Sequence, residues 1–268
     1  MSSWTSNTVD ANGITLHYWR TGGDKPPLVL CHGITDNGLC WTRAARVLEA
    51  RFDVIMLDAR GHGESSKPAS GYMSDDHAAD LAAFIEALDL DKPALMGHSM
   101  GAATVSTMAY QRPDLTRRIV LEDPPWRIQT PEEVAAGAAG LAAWRDNLAA
   151  DQTLTRAEII ANGKRARPTW ADEEFEAWAQ AKQQVSLNVF GFRTAPTAGW
   201  QTIAAGLHVP TLLVTADPEL DAIVNAEAAA LAAQNPNITV VHIPGAGHNI
   251  RREQFDAFMD AVSAFLVG

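Results

Sequence analysis

Gly97-His98-Ser99-Met100-Gly101 constrains this chain more than any other stretch. An apolar run, Pro93 to Met96, leads into it, and a helix-like segment, Ala102 to Gln111, leads out. A strand that turns at once into a helix crowds the backbone two residues before and two residues after the turn, where a Cβ would clash, and glycine relieves both positions. Ser99 is thereby pushed out of the turn, its hydroxyl exposed at the start of a helix. Strand, G-x-S-x-G and helix together predict a nucleophile elbow with Ser99 as the nucleophile.

A serine hydroxyl is a poor nucleophile at neutral pH and needs a base within hydrogen-bond reach, itself oriented by a third group. Among eight histidines, His248 is the candidate base. It stands in the Gly-rich loop Pro244-Gly-Ala-Gly-His248, just after the last strand, where a side chain can reach the sheet edge that carries Ser99. His32 and His62 read as loop-shaping residues, and His98 occupies a variable position of the elbow. The tetrahedral intermediate also needs donors for its oxyanion. The backbone N–H groups of Met100, after the nucleophile, and of Ile34, after His32-Gly33, are placed for that role.

The remaining pattern alternates strands with helices. Ile14 to Arg20, then Leu28 to Cys31, read as two antiparallel strands feeding a buried one. Asp53 to Asp58 is a strand, and Ser74 caps a helix that runs through Leu88. Arg118 to Asp123 is a strand stopped by Pro124-Pro125. Strands resume at Pro210–Thr215 and Ile238–Ile243, with helices at Ala222–Ala233 and Glu253–Leu266. This predicts a mostly parallel sheet covered on both faces. From Trp126 to about Trp200 the pattern changes to Ala-rich helical segments with turns near Thr130-Pro131, Asn162-Gly163 and Thr169. Five of the eight tryptophans (Trp126, Trp144, Trp170, Trp178, Trp200) lie here with Phe175, Phe190 and Phe192, so this part reads as an inserted helical cap. The division is then a core domain of residues 1–125 and 201–268 and a cap of residues 126–200.

A net charge of −11 and the absence of a basic run argue against nucleic acid or an anionic membrane as partner. Cys31 and Cys40 give neither a disulfide framework nor metal-ligand spacing and read as small buried hydrophobes. Met1 to Gly13 lacks the pattern of a secretory signal, and no stretch approaches a membrane span, so the expectation is a cytoplasmic protein.

Four features in order carry a resemblance: His32-Gly33, the segment Asp58-Ala-Arg-Gly-His-Gly-Glu-Ser65, the elbow, and Gly245-Ala-Gly-His248-Asn249. Together they identify the chain as similar to the α/β-hydrolase fold superfamily over essentially its whole length. The resemblance implies an eight-stranded sheet of order 1-2-4-3-5-6-7-8 with a helical cap after strand six. It also implies a serine hydrolase, and since no ligand cluster or phosphate loop is visible in the chain, the reaction is expected to need neither metal nor organic cofactor. Dehalogenases and epoxide hydrolases of the family carry aspartate where this chain has Ser99, so a carboxylic ester or lactone is the expected substrate. A C–C bond hydrolase and a perhydrolase are the alternatives. The family also holds non-catalytic receptors and binding proteins, but all parts of a working triad are present here.

Three carboxylates compete as the triad acid. In most such families it follows strand seven in a G-x-x-D pattern; here Ala216-Asp217-Pro218-Glu219 lacks the glycine and offers Glu219 or Asp217. A minority, including zearalenone-type lactonases and fluoroacetate dehalogenases, place it after strand six, twenty-four residues beyond the nucleophile, which is Asp123. The residue before Pro124 is expected to be extended, with Glu122 pointing to the opposite face. These arguments favour Asp123 over Glu219 and Asp217. From its position past Pro124-Pro125, Trp126 is expected to line the acyl pocket, and the aromatic cap suggests a substrate with a bulky apolar group. Oligomeric state is not legible.

Overall fold

Alternate residues of the central strands belong to two different cores. Leu28 and Leu30 face one cluster and Val29 and Cys31 the other; Ile55 and Leu57 likewise part from Val54 and Met56. This is the period-2 signature of a sheet buried on both faces. The computed structural model describes residues 4–191 and 198–268, apart from the side chains at 135, 136, 138 and 139. Phe192, counted above among the aromatic residues of the cap, lies outside the described residues.

The strands are β1 (Thr5–Ala11), β2 (Ile14–Arg20), β3 (Pro27–Cys31), β4 (Asp53–Leu57), β5 (Ala94–His98), β6 (Arg118–Glu122), β7 (Thr211–Thr215) and β8 (Ile238–His242). Their spatial order is β1-β2-β4-β3-β5-β6-β7-β8, as the resemblance implies. The β1–β2 and β2–β4 pairs are antiparallel and the rest parallel. β1 has no apolar run to announce it: its residues are mostly exposed. Its signal is the turn pair Asn12-Gly13, both residues at positive φ, which closes a hairpin onto β2.

The helices in chain order are α1 (Thr42–Leu48), α2 (Ser74–Ala87), α3 (Met100–Gln111), α4 (Pro131–Asp151), α5 (Arg156–Ala166), α6 (Glu174–Gln184), α7 (Trp200–Ala205), α8 (Ala226–Ala232), α9 (Ile250–Glu253) and α10 (Phe255–Val267). Apolar residues of α2, α3, α7 and α8 cover one face of the sheet, and those of α1, α9 and α10 the other. The cap of α2 sits one residue earlier than expected, at Met73, whose N–H donates to the Asp76 carboxylate at 2.9 Å. Among the described residues, no helix is long and apolar enough to cross a membrane.

Helices α4, α5 and α6 are inserted between β6 and β7. Two of them begin at capping boxes, Thr130 with Glu133 and Thr155 with Glu158. Each of the small cores of the insertion takes in a buried residue from the rest of the chain. Cys40 joins Trp170, Phe175 and Trp178, and Tyr72 joins Leu148, Val189 and Phe190. Burial pushes the thiols of Cys31 and Cys40 up to about 12, so both stay protonated packing groups. Asn162-Gly163 is not the turn its composition suggested but lies within α5. A Cβ on Gly163 would sit 2.6 Å from the Trp178 ring and 3.1 Å from Phe175, so the missing side chain lets α5 and α6 approach.

Two glycine substitutions should therefore part company. Nothing lies within 4 Å of a Cβ on Gly140 in α4, and Gly140→Ala should add about 1 kcal/mol of stability through helix propensity. Gly163→Ala should lower stability, because overpacking, at about 1–3 kcal/mol, exceeds that gain of about 1 kcal/mol. Urea unfolding of the two variants checks this; stabilisation by both would show that α5 and α6 have room to spare.

Candidate active site

The elbow forms because two side chains are missing. A Cβ on Gly97 would lie 2.3 Å from the Gly101 carbonyl oxygen, and one on Gly101 would lie 2.1 Å from that of Cys31. With both absent, Ser99 takes φ +53° and ψ −115° between β5 and α3, a backbone region that L-residues rarely enter. Its N–H donates to Glu122 O at 3.0 Å, which ties the turn to the end of β6. Met100 opens α3, so its N–H has no partner inside the helix.

The loop after β3 supplies the facing wall. His32 bridges Gly33 O through Nδ1 at 2.8 Å and accepts the Ala59 N–H on Nε2 at 3.0 Å. Burial holds its pKa below the ordinary value, which agrees with this neutral tautomer. The His62 ring meets it edge to face at 4.8 Å, so both residues shape loops. Gly33 lies against the elbow: a Cβ there would be 2.7 Å from His98 Nδ1 and 3.5 Å from Ser99 Cβ. Ile34, next in the chain, lines the same cavity as Ser99.

His248 is fixed at three points. Its N–H donates to Asp221 Oδ1 at 2.8 Å, its carbonyl accepts from His98 Nε2 at 2.9 Å, and its Nδ1 meets Asp123 Oδ2 at 2.6 Å. The His98 ring also lies 4.7 Å from the His248 ring. Burial, with Arg251 and His248 beside it, pushes His98 well below the usual histidine range, so it stays neutral and donates through Nε2. The sequence carries no signal of this role for His98, since a variable position in the elbow does not reveal its partner.

Of the three competing carboxylates, the structure brings Asp123 to the imidazole. It is fully buried and accepts the Val224 N–H on Oδ1 at 2.9 Å and the Ile223 N–H on Oδ2 at 2.8 Å. The segment after β7 thus gives the acid two amides. Asp217 instead meets His242 Nε2 at 2.9 Å and Gly245 N at 2.7 Å, and Glu219 stands exposed on a short turn. Asp123 is not extended as its proline neighbour suggested: its φ is +41°. The turn out of β6 bends the carboxylate toward the loop after β7, and the two amides hold it there. Glu122 does point elsewhere, to Arg251.

Behind these residues lies a buried ionic cluster. Arg251 Nη1 is 3.0 Å from Glu122 Oε2, Arg252 Nε is 3.2 Å from Glu174 Oε2, and Arg252 Nη2 is 3.1 Å from Asp36 Oδ2. Burial opposes ionisation of Asp36, but Arg252, Lys182 and Arg251 outweigh it and hold the carboxyl well below the usual carboxylate range. Among the described residues, no group of three His, Cys, Asp or Glu side chains is gathered to hold a metal ion.

Ser99 and His248 open into a cavity of about 350 Å³ whose far wall comes from α4, α5 and α6. Trp144, Trp170 and Trp178 line it. Trp126 does not: it is 2% exposed, stacks on Trp200 at 5.8 Å and packs into the core over the sheet. Its N–H donates to Pro124 O at 2.6 Å, so the chain turns inward after the prolines, and the expectation for this residue is corrected. The lining is also more polar than the aromatic count suggested, with Asp36, Asp151, Arg167 and Lys182 on its walls.

The family model of the alpha/beta hydrolase fold matches residues 26–251. N-formylmaleamate deformylase of Pseudomonas putida is 32% identical over an alignment of 266 positions that spans 96% of this chain and 95% of the relative. 2-(Acetamidomethylene)succinate hydrolase of Mesorhizobium japonicum is 30% identical, covering 97% and 95%. The crystal structure of E-2-(acetamidomethylene)succinate hydrolase matches with a TM-score of 0.85 at 26% identity, over 99% of this chain and 100% of that one. Sheet order, family match and full-length relatives agree: this chain belongs to the α/β-hydrolase fold family and is a hydrolase.

Proposed function

We propose that the chain is a serine hydrolase that cleaves a short N-acyl group from a small, carboxylate-bearing molecule. The observation that carries the chemistry is the 2.6 Å contact of His248 Nδ1 with the buried Asp123, beside the strained Ser99. Asp123 holds the imidazole with its proton on Nδ1, which leaves Nε2 to take the Ser99 proton. The Ser99 oxygen attacks the acyl carbonyl, and the Ile34 and Met100 N–H groups receive the negative charge that develops. His248 then passes the proton to the departing nitrogen, and water, deprotonated by the same histidine, releases the acyl group from Ser99.

The substrate class rests on two features. The two relatives described above, each aligned over at least 95% of its own length, are named for hydrolysing compounds with a formyl or acetamido nitrogen on a carboxylic acid skeleton. The cavity also offers a cation. The Arg167 guanidinium lies 5.0 Å from the Trp170 ring centre and 5.7 Å from that of Trp178, and has no carboxylate partner among the described residues. A stacked guanidinium with free donors suits a carboxylate. An ester or lactone with a bulky apolar group has less support, since Trp170 and Trp178 are engaged with Arg167, Arg252 and Lys182 rather than open to a ligand. The acyl-transfer chemistry at Ser99 is the same for an ester.

Ser99→Ala should abolish turnover while leaving the melting temperature nearly unchanged, and Asp123→Asn, which favours the wrong tautomer, should cost on the order of 10⁴ in kcat. Asp217→Asn should leave kcat within a factor of about three. Steady-state kinetics of the three variants decide the assignment; a collapse in Asp217→Asn with Asp123→Asn active would reverse it.

Arg167→Gln should raise KM for an N-formyl or N-acetyl amino-dicarboxylate by at least about tenfold, the scale of one charge-assisted pair. The same variant should leave p-nitrophenyl acetate kinetics unchanged. An equal effect on both compounds would remove Arg167 from carboxylate recognition.

A further inference from the structure

Thr35 is a β-branched residue with φ at +67°, the left-handed region that favours glycine. It occupies the third position of a tight turn closed by Asp36 N–H to Gly33 O at 3.1 Å. A positive φ at that position is ordinarily met by glycine. Ile34, the residue before it, carries the oxyanion donor assigned above, so the strain sits where the site can least tolerate a loose backbone.

What holds the turn comes from the insertion. Lys182 of α6 donates from Nζ to Thr35 O at 2.9 Å and to Thr35 Oγ1 at 2.5 Å. Its ammonium is also 3.8 Å from Asp36 Oδ1 and 5.0 Å from the Trp178 ring centre. Two residues on, Gln184 Oε1 accepts from Asn37 Nδ2 at 2.9 Å. The last turn of α6 thus grips both ends of the segment Thr35–Asn37. On its other side, Arg251 and Arg252 hold the Asp36 carboxylate at 3.4 and 3.1 Å. A lysine buried to this degree, with its charge shared between a carbonyl, a hydroxyl and a carboxylate, does more than fill space.

We propose that Lys182 is a positioning residue for the oxyanion site: by clamping Thr35 in its left-handed conformation it aims the Ile34 N–H, so the insertion completes the catalytic centre as well as covering it. Lys182 does not touch the reacting atoms. This inference rests on the reading of Ser99 as nucleophile and is independent of the substrate class.

Its test compares Lys182→Met, Lys182→Gln and the double variant Lys182→Met/Thr35→Gly, using p-nitrophenyl acetate turnover and the rate at which a fluorophosphonate labels Ser99. Loss of an aligned oxyanion donor costs about 10²–10³ in kcat when complete, so Lys182→Met should lose about 30- to 100-fold with KM changed less than about threefold. Fluorophosphonate labelling, which places an oxygen in the same site, should slow in parallel. Lys182→Gln keeps a donor for Thr35 O and should lose about three- to tenfold; it carries the comparison if Lys182→Met does not fold. Glycine adopts a positive φ without strain, so the double variant should recover at least about fivefold over Lys182→Met. A folded Lys182→Met, or in its place Lys182→Gln, that keeps wild-type kcat overturns the proposal. So does a loss confined to KM, or a double variant no faster than its parent. A wild-type chain whose Ser99 resists the fluorophosphonate overturns the nucleophile assignment and this proposal together. Labelling and ester turnover without hydrolysis of N-acyl acids overturns only the substrate class.

Discussion

Three acids and three bases share one buried site beneath the cavity: Asp36, Glu122 and Glu174 against Lys182, Arg251 and Arg252. They come from the loop after β3, the end of β6, α6 and α9; the first of these carries Ile34, and the ends of β6 and α9 border Asp123 and His248. Burying six charges contributes little net stability, because desolvation offsets attraction, but removing one member leaves an uncompensated charge at a cost of about 3–5 kcal/mol. The network therefore serves to fix geometry. Arg251 ties the strand that bears Asp123 to the helix that follows His248, and Asp36 ties both to the oxyanion loop.

Three of the non-glycine residues at positive φ lie against that fixed frame. Thr35, Ser99 and Asp123 hold φ values of +67°, +53° and +41°, each costing on the order of 1–3 kcal/mol. Each strained residue is overdetermined by hydrogen bonds from other segments: Lys182 on Thr35, Glu122 O on the Ser99 amide, Ile223 and Val224 on Asp123. Strain held in this way would keep the proposed donors, nucleophile and acid in place before a substrate arrives.

The sheet and the elbow were legible because period-2 burial and paired glycines leave local marks. The pairing of Asp123 with His248 was legible through spacing from Ser99, although the backbone of Asp123 was not, since a proline constrains its neighbour less than two amides constrain a carboxylate. β1 was missed because an edge strand in a hairpin needs few apolar residues, and its mark was the Asn12-Gly13 turn. Trp126 was misplaced by reading chain proximity as spatial proximity; the chain turns back onto the sheet at Pro124-Pro125. His98, Lys182 and the paired arginines were not legible at all. Their partners lie far away in sequence, as Lys182 does from Thr35, and a single sequence shows no such pairing.

Asp123 sits at the root of the insertion, one residue before Pro124-Pro125, a short stiff stem leading toward α4. Any lever motion of the inserted helices would pull first on this residue. Its carboxylate, however, is moored to the Ile223 and Val224 amides of the segment after β7, which is not part of the stem. The Asp123–His248 contact is thus anchored from outside the insertion: displacement of the inserted helices is opposed at its root by two amides that follow β7.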